Sequence, residues 1–357
     1  MGCVPSTPKV HTDISSPFSQ QMAWKSAGKG ETLVAALARL DDEIASSERT
    51  YPAARLAVVS AELASIQEEI KSFEDATSTM TNKDSYAKTI HQVFVSLDIY
   101  RRPVLASENE DFVANINRKE MRRLELSWLQ TRLGELQRER RTLHAQILRT
   151  RSLYAQLQQL LDSVWANTLR PGTPLEDALS RARGLRDALA AVSARLRAAA
   201  EYAHAAVRLL DDALPAWKLS GVGKTGWERT AACADACRLF VQARCLERGA
   251  RRVLSAPAAP RAARTLRLAL DYAFTDTSHD YKYQRATEIF VQFKEALVQM
   301  INSIHQVLLT NLENLALAAK DVKERRRELR AARVNAIAGK GLADLRYEPA
   351  SLKTALN

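Results

Sequence analysis

The stretch LSWLQTRLGELQRERRTLHAQILRTRSLYAQLQQLLDSV, residues 126–164, decides the fold class. Leu126, Leu129, Leu133, Leu136, Leu143, Ile147, Tyr154, Leu157, Leu161 and Val164 fill ten of twelve successive a and d positions of one heptad frame. Arg140 and Thr150 are the departures. Arg132, Glu135, Gln137, Arg138, Glu139, Arg141 and Arg149 lie between them, so a narrow apolar seam runs along an otherwise wetted helix. At about 1.5 Å per residue the stretch would span roughly 58 Å.

Arg170-Pro171-Gly172-Thr173-Pro174 then breaks the pattern, because two prolines and a glycine do not fit a helix interior. Thr173 is placed to cap the next helix, with Pro174 at its first position and Glu176 completing a capping box. Leu175, Ala178, Ala182, Leu185, Leu189, Val192, Leu196, Ala199, Ala203, Ala206, Leu210 and Ala213 fill twelve of twelve a and d sites. Six of these are alanines, which permit close interaxial approach. Two long helices joined by so short a turn are expected to run antiparallel, with Leu143 near Leu196 and Leu161 near Ala178.

Working outward, Leu33, Leu37, Leu40 and Ile44 form one helical stripe, Pro52 interrupts or opens a helix, and Leu56, Val59, Leu63, Ile66, Ile70 and Phe73 form a second stripe. Residues 75–84 read as a polar link, residues 85–101 as another amphipathic helix before Arg102-Pro103, and Ser107 to Asp111 as a cap for the long helix. Beyond it, 227–254 and 262–274 look helical on either side of Pro257 and Pro260, and a last helix runs from about Tyr283 to Ile337. No β pattern of substance is present. The expectation is an all-α protein: an elongated antiparallel helical bundle, or coiled-coil hairpins, behind a disordered acylated tail. Its parts are a tether (1–30), short amphipathic helices (31–116), a long hairpin (117–216), C-terminal helices ending in a basic one (217–340) and a flexible tail (341–357).

Composition agrees with a packed body, since 46% of the 357 residues are hydrophobic. No apolar run is long enough to cross a bilayer, and no secretory leader is recognisable. Residues 31–75 hold ten acidic and four basic side chains, whereas 117–170 hold five acidic and eleven basic, so the two segments are candidates to lie together. The net charge of +11 comes with no helix-turn-helix, zinc-finger or aromatic RNA-binding signature, and no nucleic-acid partner is expected.

Met1-Gly2-Cys3-Val4-Pro5-Ser6 fits the N-myristoylation pattern, with Gly2 as acceptor and Ser6 at the favoured hydroxyl position. Cys3 offers a thiol for the palmitoyl chain that makes membrane attachment stable. Lys9, Lys25 and Lys29 lie in the Pro- and Ser-rich segment that follows. The three other cysteines are expected reduced.

Candidate chemistry is sparse. Gly221-Val222-Gly223-Lys224-Thr225 lacks the earlier glycine and the preceding strand of a phosphate-binding loop, and reads as an interhelical connection. Cys233, Cys237 and Cys245 read as buried small side chains, and His11, His91, His144, His204, His279 and His305 show no ligand or base spacing. The segment Asp271 to Tyr283, with Asp276, His279, Asp280 and Tyr281, reads as a capped helix connection or a partner surface. Lys320, Lys323, Arg325, Arg326, Arg327, Arg330 and Arg333 form a basic run that reads as a solvated helix end or, given the acylation motif, as a membrane-surface patch for an anionic leaflet.

These readings lead to a non-enzymatic, lipid-anchored helical scaffold or adaptor, peripheral on the cytoplasmic face of a membrane, with no cofactor and no metal. It would bind the membrane through its acyl chains and protein partners through helical surfaces, as a monomer or a homodimer. The alternative is a membrane-shaping module similar in layout to a BAR domain, for which helix length and charge are the whole case.

Overall fold

The computed structural model describes residues 31–74, 85–165, 170–257 and 260–347. They are almost wholly helical: α1 (Leu33–Glu48), α2 (Pro52–Glu74), α3 (Ser85–Ser96), α4 (Val104–Glu108), α5 (Glu110–Trp165), α6 (Thr173–Val222), α7 (Gly226–Leu254), α8 (Pro260–Asp271), α9 (Ala273–Asp276) and α10 (Asp280–Gly339). Two-residue strands β1 (Glu31–Thr32) and β2 (Arg346–Tyr347) pair antiparallel. The described residues are all-α, and no described helix is long and apolar enough to cross a membrane. Its described residues form two compact units, the smaller from 31–47, 150–165, 170–176 and 326–347 and the larger from the remainder.

In the smaller unit, α1 buries Leu33, Ala36, Leu37, Leu40 and Ile44, the stripe that its three- and four-residue spacing places on one face. This stripe packs on Leu153, Leu157, Leu160, Leu161 and Trp165 of α5 and on Ile337 of α10. Glu31 and Thr32 oppose Tyr347 and Arg346, and the Leu33 amide donates to the Leu345 carbonyl at 2.9 Å. Strands of two residues are too short to leave an alternating signature, so they were not legible in the sequence.

Gly172 supplies the left-handed backbone (φ +87°) that starts α6, and its carbonyl accepts the Leu175 and Glu176 amides at 2.8 and 2.9 Å. The capping box expected at Thr173 is replaced: Glu176 Oε1 accepts from Arg333 Nη2 at 2.5 Å, because α10 brings a guanidinium within reach.

In the larger unit, α2 lies antiparallel on α5. Val59, Leu63, Ile66 and Ile70 meet Leu129, Leu136 and Leu143, while Arg55–Glu139 (2.6 Å) and Glu62–Arg132 (3.3 Å) pair in reversed order. Helix α6 runs antiparallel to α10 through Trp217–Thr287 (2.7 Å), Asp211–Lys294 (2.6 Å), His204–His305 (3.3 Å) and Ser193–Asn311 (2.7 Å). Helix α7 is the centre, with Cys233, Ala236, Cys237, Phe240, Val241 and Ala243 buried and α2, α3 and α9 around it. Phe240 stacks on Phe290, and Trp217 stacks on Tyr283 and meets Phe290 edge-on. Trp217, Phe240 and Phe290 are fully buried, and each contributes about 1.5–3 kcal/mol from area alone.

Both long seams form, and α5 meets α6 where Arg132 donates to the Tyr202 hydroxyl at 2.8 Å, but other helices also pack on them and Leu143 and Leu196 fall in different clusters. Leu143 packs in the α2 cluster, whereas Leu196 packs with Val58, Tyr202, Val253 and Ile304. The physical reason is competition: α2 offers the α5 seam a complete leucine-isoleucine face, and α10 and α7 do the same for the alanines of α6. The early α6 seam also rotates. Leu185 and Val192 are 59% and 44% exposed, and Leu179, Arg186, Ala190 and Ser193 are buried instead. Arg186 faces inward with this turn, and its guanidinium reaches Glu48 at 3.0 Å, Asp187 at 2.8 Å and the Tyr51 ring.

The acidic N-terminal segment meets more than the basic stretch of α5. Glu62 pairs with Arg132, but Glu48 pairs with Arg186 of α6, and Glu69 with Arg248 and Arg252 of α7.

Candidate functional site

Gly2 and Cys3, the proposed acylation residues, lie outside the described residues, as do Lys9, His11, Lys25 and Lys29. The chain carrying them joins the body at Glu31, whose carboxylate takes the Arg39 guanidinium at 3.1 Å in the smaller unit.

The basic run divides along α10. In the smaller unit Arg326 is buried and meets Asp41 at 3.5 Å, Arg330 meets Asp41 and Asp42 at 2.6 and 2.5 Å, and Arg333 meets Glu176. Arg327 in that unit is exposed. Lys320, Lys323 and Arg325 belong to the larger unit; all three are exposed, and Arg325 pairs with Asp321 at 3.4 Å. Local counting could not find most of these partners, because α1 and α6 supply them from far away in sequence. Among its described residues the smaller unit holds nine basic and eight acidic side chains, so its charge nearly cancels.

The segment Asp271 to Tyr283 fastens α8, α9 and α10 onto the start of α5. Arg118 donates to Asp271 at 3.1 Å, the Tyr272 hydroxyl donates to Asp111 at 3.0 Å, and Lys282 donates to Glu110 at 2.7 Å. Ser107 and His279 bond at 2.7 Å. The Asn117 amide donates to the carbonyls of Leu270 and Asp271, and its oxygen accepts from the Tyr86 hydroxyl. Burial pushes the Asp276 carboxyl up to about 7, with Glu110 adding to the effect and Lys282 opposing it. Tyr281 is 74% exposed, while Asp271, Phe274, Thr275 and Asp276 are buried.

The connection at Gly221–Thr225 ends in a genuine capping box. Thr225 accepts from the Glu228 amide, and Glu228 accepts from the Thr225 and Lys224 amides. T-x-x-E was the sequence signal for it. Close by, Gly226 lies under Tyr100, whose ring would be 2.7 Å from an added Cβ. The Tyr100 hydroxyl bonds His91 and Thr230 at 2.7 and 2.5 Å, and Trp227 meets His91 edge-on. Cys233, Cys237 and Cys245 are buried free thiols, and burial pushes Cys245 up to about 11 and Cys233 well above its ordinary value.

Among the described residues no three His, Cys, Asp or Glu side chains gather as a metal-binding group. His144 is exposed on α5. His204 and His305, 101 positions apart in sequence, are brought face to face on α6 and α10, both exposed, with ring centroids 5.2 Å apart.

The chain matches no protein-family model, no curated protein and no solved structure.

Proposed function

We propose that the chain is a non-enzymatic, lipid-anchored helical scaffold or adaptor on the cytosolic face of a membrane, held there by acyl chains on Gly2 and Cys3. The observation that carries this reading is where the acylation motif joins the folded body. It enters at Glu31, in a unit whose described charges nearly cancel, so an anionic leaflet attracts that unit weakly, which supports attachment through the acyl chains. The polar and ionic clusters around Glu125, Asp271 and Asp41 support the non-enzymatic part, because each is engaged in joining helices. Leu148, Leu185, Leu309 and Leu317, each 59–68% exposed, offer apolar points on the long helices for protein partners.

Gly2→Ala is expected to move the protein wholly into the soluble fraction. Cys3→Ser is expected to give a partial, reversible shift, since one myristoyl chain binds bilayers with only about 10⁴ M⁻¹. Unchanged membrane association of Gly2→Ala in fractionation refutes the anchor. Unacylated protein that still binds and tubulates anionic vesicles would replace the scaffold with the membrane-shaping reading.

A further inference from the structure

We propose that His204 and His305 form a two-imidazole clasp for a divalent transition-metal ion of the zinc class, bridging α6 and α10. Their Nε2 atoms face each other at 3.3 Å. Two imidazole nitrogens bound at about 2.0–2.1 Å to one tetrahedral ion lie about 3.3 Å apart, so the pair already holds the bite that such an ion requires. Both rings are exposed, which leaves water free to fill the remaining coordination positions. Imidazole nitrogen suits Zn²⁺, Cu²⁺, Ni²⁺ and Co²⁺ and discriminates against Mg²⁺ and Ca²⁺, which prefer oxygen.

The scaffold beneath the pair is preorganised. Residues on either side tie the two helices in the same antiparallel register, Asp211 to Lys294 at 2.6 Å and Asn311 to Ser193 and the Leu189 carbonyl at 2.7 and 2.9 Å. The backbone below is packed by Ala203 and Ala206 of α6 and Ile301 and Ile304 of α10, all buried. An ion therefore finds its two ligands without reordering either helix. Along α6, Glu201 one turn before His204 and Arg208 one turn after it carry opposite charges, so the local field neither favours nor bars a cation strongly. The Nε2–Nε2 hydrogen bond is the arrangement that the ion would displace. The bound ion would act as a clasp, fixing the register of α6 on α10.

The full chain, freed of metal with a chelator, is titrated with ZnCl₂ by calorimetry, and with CoCl₂ to read the visible bands of a nitrogen-liganded site. The parent is expected to bind one ion more tightly than either His204→Ala or His305→Ala by at least threefold. The double variant should be no weaker than the single ones, since losing one ligand already ends the chelation. Zn²⁺ should also raise the melting temperature of the parent, reversibly on chelation, and leave both variants unmoved; in chelator all three should melt alike. A loss of less than threefold in either single variant, or no binding by the parent, overturns the proposal. Ion taken up equally by the parent and both variants would be bound elsewhere on the chain.

Discussion

Glu125 of α5 is a buried charge in the larger unit. Its carboxylate is 5% exposed, and the guanidiniums of Arg244 and Arg248 converge on one of its oxygens. Arg248 turns its other nitrogen to Glu69 at 3.0 Å, which also takes Arg252 at 2.8 Å, so α2, α5 and α7 are joined by one network. Glu125→Ala leaves Arg244, with its side chain 14% exposed, without this carboxylate. Removing one member of a buried pair typically costs about 3–5 kcal/mol. Arg248, at 34% exposure, keeps Glu69 and some water, which places the expected loss near the lower end, about 3 kcal/mol. Glu125→Gln keeps the shape and one acceptor and should lose less. Replacing Glu125 and Arg244 together by Leu should recover much of the loss, because neither partner is then left unpaired. Urea unfolding followed by tryptophan fluorescence measures this through the midpoint at constant slope. A loss below about 1 kcal/mol for Glu125→Ala would show that water screens the network as it does a surface pair, and the reasoning would fail.

Arg326→Gln with Arg330→Gln should lower the melting temperature of the smaller unit, since Arg326 is buried and both face Asp41, whereas Lys320→Gln, Lys323→Gln and Arg327→Gln together should stay within about 0.5 kcal/mol. Equal melting of the two multiple variants would refute the division of the basic run. Asp276, with a folded value of about 7 against 3.8 in the open chain, binds its proton more tightly when folded. Its stabilising contribution is complete below pH 4 and is lost as pH rises toward 7, so Asp276→Asn should flatten that fall and raise the melting temperature at pH 8. A parent whose stability does not change between pH 4 and 8 more steeply than that of the variant would refute it.

The helices were legible because apolar spacing is local: the stripes of α1 and α2, the long seam of α5 and the break at Arg170–Pro174 follow from residues within a few turns of each other. Side-chain partners at their ends were set by distant groups, as where Arg333 pairs with Glu176 instead of the expected cap. Of the candidate site, the acylation motif is a purely sequential reading that lies outside the described residues, whereas the partners of the basic run were not legible, because Asp41 and Asp42 lie 289 and 288 positions from Arg330. The facing of His204 and His305 left no trace at all, since nothing local marks which of several exposed histidines will meet across two helices.

The sequence by itself determined that the chain is helical, where the long helices run, and which face of most of them is apolar, because periodicity acts along one element at a time. Only the tertiary structure decided which seam closes on which: the middle of α5 on α2 and its end on α1, and α6 on α10 and α7. An apolar stripe of leucine or alanine accepts any complementary stripe, so the choice falls to the charges and shapes beside it, such as Arg186 reaching Glu48 and Glu125 collecting Arg244 and Arg248.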